Sequence, residues 1–321
     1  MWSHRHLTGI AQLSRDDIVH VLDVADRWYS LPRAEATNAR ILRGRTLFNL
    51  FFESSTRTRA SFEVAGKRLG GDVVNVSPQT SSVTKGETLL DTVRNLEALR
   101  ADAIVLRHPA SGASEFVAKH TSACVVNAGD GAHEHPTQAL LDAFIIRRRA
   151  KGFEGLVVAI CGDILHSRVA RSNALLLGAL GAEVRVCGPR TLMPRSPEAL
   201  GPTVRSFLRV DDAVAGADVI MMLRIQTERL TGTMTASTRE YARTFGLNAR
   251  VLGLAKPDVL VMHPGPINRG VEIDSRVADG PRSVILQQVE AGVAVRMAVL
   301  ELVLGASDAQ CPGGAAGRSD G

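Results

Sequence analysis

The chain has 321 residues, enough for two domains of about 150 residues each. Apolar residues make up 45% and charged residues 22%, an ordinary globular balance, but aromatics are only 4%, so the core must rest on Leu, Val, Ile and Ala. The net charge of +5 comes from basic residues spread along the chain, which argues against nucleic acid and suits an enzyme of small anions. No apolar stretch is long enough to span a bilayer, and Met1 to Asp17 contains no apolar leader core, so a soluble, reducing, cytoplasmic setting without a membrane partner is expected.

In chain order, Ser14 is a helix N-cap, followed by Ile18, Val21, Leu22 and Ala25 on one face. A strand over Thr46–Phe52 leads into a helix over Thr58–Leu69, closed by Gly70-Gly71. Next come a strand at Val73–Val76, a polar loop Ser77–Lys85 and a helix over Gly86–Arg100. A strand at Ala103–Leu106, a helix near Ala113–His120, a strand at Cys124–Asn127 and a helix over Pro136–Ala150 complete the first half. The cluster Arg147-Arg148-Arg149 falls at that helix's end, where cations complement the dipole, and reads as a solvated terminus.

Beyond Lys151-Gly152 the alternation restarts with strand Leu156–Cys161, helix Arg168–Leu180 and strand Glu183–Cys187. Further strands at Val219–Leu223 and Val259–Met262 precede a long apolar helix over Ser283–Leu304. This pattern predicts an α/β protein of two successive domains, each a parallel sheet flanked by helices, with a long C-terminal helix. The domains are placed at residues 1–150 and 151–305, with the terminal helix packing back on the first, and residues 306–321 form a Gly/Ala/Ser-rich disordered tail. Of the four cysteines, Cys124, Cys161 and Cys187 lie in strand-like runs and read as buried thiols; Cys311 lies in the tail.

The strongest chemical signal is Glu53-Ser54-Ser55-Thr56-Arg57-Thr58-Arg59, between a strand and a helix. Helix N-terminal amides, several hydroxyls and an arginine fork form a phosphate cradle. A simple helix cap needs only one such hydroxyl, so phosphate binding is favoured. A single histidine before a helix, such as His135, is by itself more often a cap than a catalytic group.

Ser-Thr-Arg-Thr-Arg after a strand resembles the carbamoyl-phosphate motif of the aspartate and ornithine carbamoyltransferases. Arg107-His108-Pro109, Asn127-Ala128-Gly129-Asp130-Gly131 and His135-Pro136-Thr137-Gln138 match that family in order and spacing. The resemblance spans about Leu7 to Gly305. It implies transfer of a carbamoyl group from carbamoyl phosphate to an amine, with Thr58, Arg107 and His135 as catalytic donors to the carbamoyl oxygen. Ser55, Thr56, Arg57, Thr58 and Arg107 would hold the phosphate, and Gln138, with the backbone at Gly265 and Pro266, the carbamoyl amide. Loop residue Lys85, and Ser81 beside it, would reach a neighbouring subunit's site, implying a homotrimer with shared sites. Thr84 stands where family members often carry a second lysine.

The acceptor would meet Lys85, Arg168, Arg224 and Gln226. Two arginines suit a dicarboxylate such as L-aspartate. The Asp-x-x-x-Ser-Met-Gly and His-Cys-Leu-Pro stretches typical of the ornithine branch are absent. The resemblance thus points to an early step of pyrimidine synthesis, needing neither metal nor organic cofactor. A His263–Glu272 stretch similar to that of some bacterial relatives adds a dihydroorotase-like chain as a candidate partner. Gly162-Asp163-Ile164-Leu165-His166 lacks the G-x-G-x-x-G spacing of a dinucleotide site.

Overall fold

The computed structural model of the chain describes residues 2–32, 35, 39–76, 86–150, 152–225 and 237–310, with side chains to residue 305. Helix α1 (Arg15–Ser30) starts at a reciprocal capping box: Ser14 Oγ accepts from Asp17 N at 3.1 Å and the Asp17 carboxylate accepts from Ser14 N at 3.0 Å. Its buried face is Ile18, Val21, Leu22, Ala25 and Trp28.

The first sheet contains β1 (Thr46–Phe51), β2 (Asp72–Val76), β3 (Ala103–His108) and β4 (Cys124–Asp130), all parallel in the order β2-β1-β3-β4. Its helices are α2 (Thr56–Arg68), α3 (Leu89–Ala98), α4 (Ala113–Ala118) and α5 (Pro136–Arg149). The near-continuous apolar runs of β1 and β4 follow from burial on both faces, as parallel sheets require. Helix α2 begins earlier than expected, at Thr56, so its first turn lies inside the hydroxyl-rich stretch. Thr88 caps α3 through Asp91 N, so the helix starts at Leu89, after Gly86.

The second sheet contains β5 (Val157–Cys161), β6 (Glu183–Cys187), β7 (Val204–Phe207), β8 (Val219–Met222) and β9 (Leu260–Met262), in the order β7-β6-β5-β8-β9, again parallel. Around it lie α6 (Arg168–Ala179), α7 (Val210–Val214), α8 (Thr238–Phe245), α9 (Ala249–Leu252) and α10 (Ser275–Ala278). Strand β7 was not anticipated. As an edge strand it buries Val204 but exposes Arg205 and Ser206, so it lacks an apolar run. Helices α7 to α10 are too short to display a helical period.

The terminal helix α11 (Ile285–Gln310) continues past the expected end at Leu304. Residues 306–310, expected in the tail, are thus helical, while 311–321 lie outside the described residues. It packs against α1, α2 and α5, and α5 also packs on α6, so helices of both halves share one apolar cluster. The arginine cluster occupies the last turn of α5, as expected, with Arg148 and Arg149 exposed, and it also makes side-chain pairs. Arg147 pairs with Asp23 at 2.6 Å, Arg148 pairs with Asp26, and Arg149 donates to Gln287 Oε1 at 2.5 Å, which ties α5 to α1 and α11. Cys124, Cys161 and Cys187 are buried thiols. Among the described residues no helix is long and apolar enough to cross a membrane.

Candidate active site

Both sheets reverse their winding beside their first strands, and at such switch points the loops after neighbouring strands diverge and open a crevice. In the first sheet the reversal lies between β1 and β3, where Glu53–Thr58 follow β1 and Arg107 ends β3. In the second it lies between β5 and β8, where Ser167 and Arg168 follow β5 and Leu223 and Arg224 follow β8. The two crevices face each other across one cavity of about 760 Å³, which the loop after β9, His263–Pro266, also lines.

Helices α2, α5 and α6 point their N-termini at this cavity, through Ser55–Thr58, His135 and Ser167–Arg168. Ser167 caps α6 by accepting from Ala170 N at 3.1 Å. Ser55 does not cap α2 with its side chain, so the first-turn amides of α2 keep their donor capacity, whereas in α5 Pro136 has no N–H and Gln138 N donates to His135 O at 3.0 Å. Five arginines (57, 107, 168, 224 and 296) line the cavity against one carboxylate, Glu53, among the described lining residues. Helix dipoles and guanidinium groups together make a strongly anion-seeking site.

Local irregularities aim these groups. The β3–β4 register shifts between Leu106 and His108, an irregularity that interrupts pairing with β4 at Arg107 while Arg107 stays paired with Phe51 of β1, and its Nη1 donates to Ala128 O at 3.3 Å. Glu53 Oε2 accepts from Arg168 Nη2 at 2.7 Å and lies 3.4 Å from Arg107 Nε, bridging the two halves of the site. Arg57 reaches across the cavity and its Nη2 donates to Pro264 O at 3.2 Å. It fits because residue 265 is glycine: at φ +65° a side chain is strained, and any Cβ would overlap the guanidinium. Gly129, at φ +116°, likewise leaves room for Arg168.

His135 is buried, and burial together with Arg107, Arg168 and Arg296 holds its pKa well below that of an ordinary histidine. It is therefore neutral at pH 7 and has one N–H to donate. Burial also lowers the pKa of Arg57 and brings that of buried Arg296 down to about 10, which leaves Arg296 cationic at neutral pH. Behind the loop after β9, His263 Nε2 lies 3.2 Å from Glu272 Oε1 and its Nδ1 accepts from Gly265 N at 2.7 Å. That chain fixes the backbone at Pro264–Pro266.

Of the sequence-identified residues, Ser55, Thr56, Arg57, Thr58, Arg107, His135, Gln138, Arg168, Arg224, Gly265 and Pro266 all line this cavity. Ser81, Lys85 and Gln226 lie outside the described residues. Glu53 and Arg296 had been given no role. Glu53 sits in the hydroxyl-rich motif as the one acid among its cations, a signal that was available. Arg296 comes from the middle of an apolar helix and stacks on Phe62 at 5.1 Å, with its Nη1 donating to Ser61 Oγ at 3.1 Å. A lone arginine in that apolar run is its only trace in the sequence.

A family profile described as aspartate/ornithine carbamoyltransferase, carbamoyl-P binding domain, matches residues 5–148, and the companion Asp/Orn binding domain matches residues 154–303. An aspartate carbamoyltransferase catalytic subunit of Sorangium cellulosum is 64% identical over 300 residues, covering 94% of this chain and 93% of that protein. The crystal structure of aspartate transcarbamoylase from Trypanosoma cruzi with carbamoyl phosphate and aspartate superposes with a TM-score of 0.82 at 33% identity, covering 94% of this chain and 97% of that one. Ornithine carbamoyltransferase from Pyrococcus furiosus superposes with a TM-score of 0.84 at 30% identity, covering 94% and 98%. The fold is thus common to both acceptor types.

Proposed function

The chain belongs to the aspartate/ornithine carbamoyltransferase family, and from that premise we infer that it transfers the carbamoyl group of carbamoyl phosphate to the amine of L-aspartate, giving N-carbamoyl-L-aspartate and phosphate. The observation that carries this reading is the single cavity in which an amide-rich helix terminus with Arg57 and Arg107 faces a second pair of arginines, Arg168 and Arg224. The first set suits a phosphate dianion and the second a dicarboxylate. An ornithine side chain would bring a cation toward Arg224, which this geometry disfavours.

In the reaction, phosphate lies on the first-turn amides and hydroxyls at Ser55, Thr56 and Thr58, with Arg57 and Arg107. Aspartate meets Arg168 with its α-carboxylate and Arg224 with its side-chain carboxylate, joined by Gln226 and Lys85. Binding of the two anions relieves Arg168 and Arg107 of Glu53. The neutral amine attacks the carbamoyl carbon, forming the C–N bond and moving charge onto the carbonyl oxygen. Thr58, Arg107 and neutral His135 donate to that oxyanion, and Gln138 with the backbone at Gly265 and Pro266 holds the carbamoyl amide. The C–O bond to phosphate then breaks, and the departing phosphate takes the amine proton. Each prearranged donor of this kind contributes roughly 10²–10³ in rate. Holding both reactants in place contributes further.

The same reading makes the working unit a homotrimer in which Ser81 and Lys85 of a neighbour complete each site. Its support is the edge position of β2, which ends at Val76 just before residues 77–85, and the exposed apolar side chains Ile41, Val64 and Val74 around it. Likeness of the His263–Glu272 stretch to bacterial relatives supports a dihydroorotase-like partner, and the chain's composition supports a cytoplasmic location. The domain division near residue 150 is supported by the two separate sheets.

An assay of the purified chain with carbamoyl phosphate, offering aspartate and ornithine side by side, tests the reading. Turnover confined to aspartate is expected. Preference for ornithine, or no turnover with either, overturns it.

A further inference from the structure

Gln138 lines the cavity, and one helical turn further along α5 lies Asp142, fully buried. Asp142 Oδ1 accepts from Gln138 Nε2 at 2.9 Å and from Gln288 Nε2 at 2.7 Å, while Oδ2 accepts from Asn173 Nδ2 at 2.9 Å. The three donors come from α5, α11 and α6, so one carboxylate joins three helices beneath the site.

An ionised carboxylate offers only acceptors, so every amide facing it must present its NH₂ group. For Gln288 the opposite end agrees, because its Oε1 accepts from His263 N at 3.0 Å. For Gln138 the consequence reaches the substrate side. With its NH₂ committed to Asp142, the end of the amide left for a ligand is the carbonyl oxygen, an acceptor. Without Asp142 the amide could rotate by half a turn at little steric cost, and the cavity would then see a donor.

We propose that Asp142 is a positioning residue for substrate selection: by fixing the Gln138 amide it keeps an acceptor turned to the cavity, matched to the NH₂ of a carbamoyl group and mismatched to acyl phosphates that lack it. This rests on the carbamoyl-transfer reading above. A site built to bond an N–H rejects the analogue without it far better than a site relying on shape alone, because the buried partner is left unpaired. Acetyl phosphate, with CH₃ in place of NH₂, is nearly the same size and carries the same phosphate, so it isolates that one interaction. The same carboxylate also steadies Gln288 and, through His263, the loop after β9, so activity alone cannot separate selection from general support.

The test compares wild type, Asp142→Asn and Gln138→Leu at about pH 8, above the value of about 6 that burial gives the Asp142 carboxyl. Three quantities are measured: kcat/KM for carbamoyl phosphate with aspartate, competitive inhibition by acetyl phosphate, and inhibition by inorganic phosphate. Asp142→Asn is expected to lower kcat/KM for carbamoyl phosphate roughly 10- to 100-fold while both inhibition constants stay within about threefold. Gln138→Leu leaves the carboxylate its other two amides and is expected to show the same selective pattern, so the outcome can be read even if Asp142→Asn does not fold. Parallel changes in all three quantities for either variant, or no change in any, overturn the proposal. A wild-type chain that does not turn over carbamoyl phosphate would instead defeat the underlying reading.

Discussion

Replacing Gly265 with alanine probes how the phosphate side is built. The residue sits at φ +65°, where a non-glycine residue is strained by roughly 1–2 kcal/mol. Its new Cβ would overlap the Arg57 guanidinium, the mobile end of a long side chain, so Arg57 moves and the backbone stays. Displacement removes the bond to Pro264 O and takes the cation away from the phosphate. A charge-assisted hydrogen bond is worth about 1.5–3 kcal/mol, or about 10- to 100-fold in kcat/KM for carbamoyl phosphate. Because the substitution acts through Arg57, the double variant Gly265→Ala/Arg57→Ala should lie within about threefold of Arg57→Ala alone. Steady-state kinetics on the four proteins, with thermal melts to check folding, give the answer. Fully multiplicative losses would refute this coupling.

His135→Ala should lower kcat by about 10²–10³ with the fold intact by circular dichroism. Since burial and three arginines depress the His135 pKa, the wild-type pH–rate profile should show no acid limb from this group near pH 6.5; a limb there that disappears in His135→Ala would contradict a neutral donor. Mixing inactive Lys85→Ala and His135→Ala subunits and allowing exchange should restore part of the activity, whereas complete silence would count against sites built from two chains. Burial raises the Asp142 pKa from 3.8 to about 6 despite its amide donors and Arg296 nearby. The folded state therefore holds that proton more tightly, so this contribution to stability is full below about pH 4 and is lost as pH rises through about 6. Relative to Asp142→Asn, wild type should lose about 3 kcal/mol over that window in urea melts, and parallel curves would dispute the shift.

Much of the architecture was legible because parallel strands buried on both faces leave unbroken apolar runs. Val157–Cys161 is an example, and Cys124–Val126 opens β4 in the same way. The edge strand Val204–Phe207 was hidden because half of its residues face solvent. The cavity lining was legible where residues cluster at strand ends: Arg107 lies near the end of β3, and the Ser55–Thr58 run, His135 and Arg168 each follow a strand and open or precede a helix. What escaped notice is the support behind them. Asp142, Gln288 and Glu272 act through partners far off in sequence, and nothing local marks them as different from ordinary polar residues. The position of Arg147, Arg148 and Arg149 at a helix end was legible, but their partners Asp23, Asp26 and Gln287 were not, since these meet them only in the folded chain.

A crystal structure of the chain with phosphate and L-aspartate bound tests the central claim most directly. Phosphate should lie on the amides of Ser55–Thr58 with Arg57 and Arg107, and both aspartate carboxylates should lie on Arg168 and Arg224, with Glu53 displaced from Arg168. Either ligand bound outside this cavity, or aspartate held without those two guanidinium groups, would contradict it.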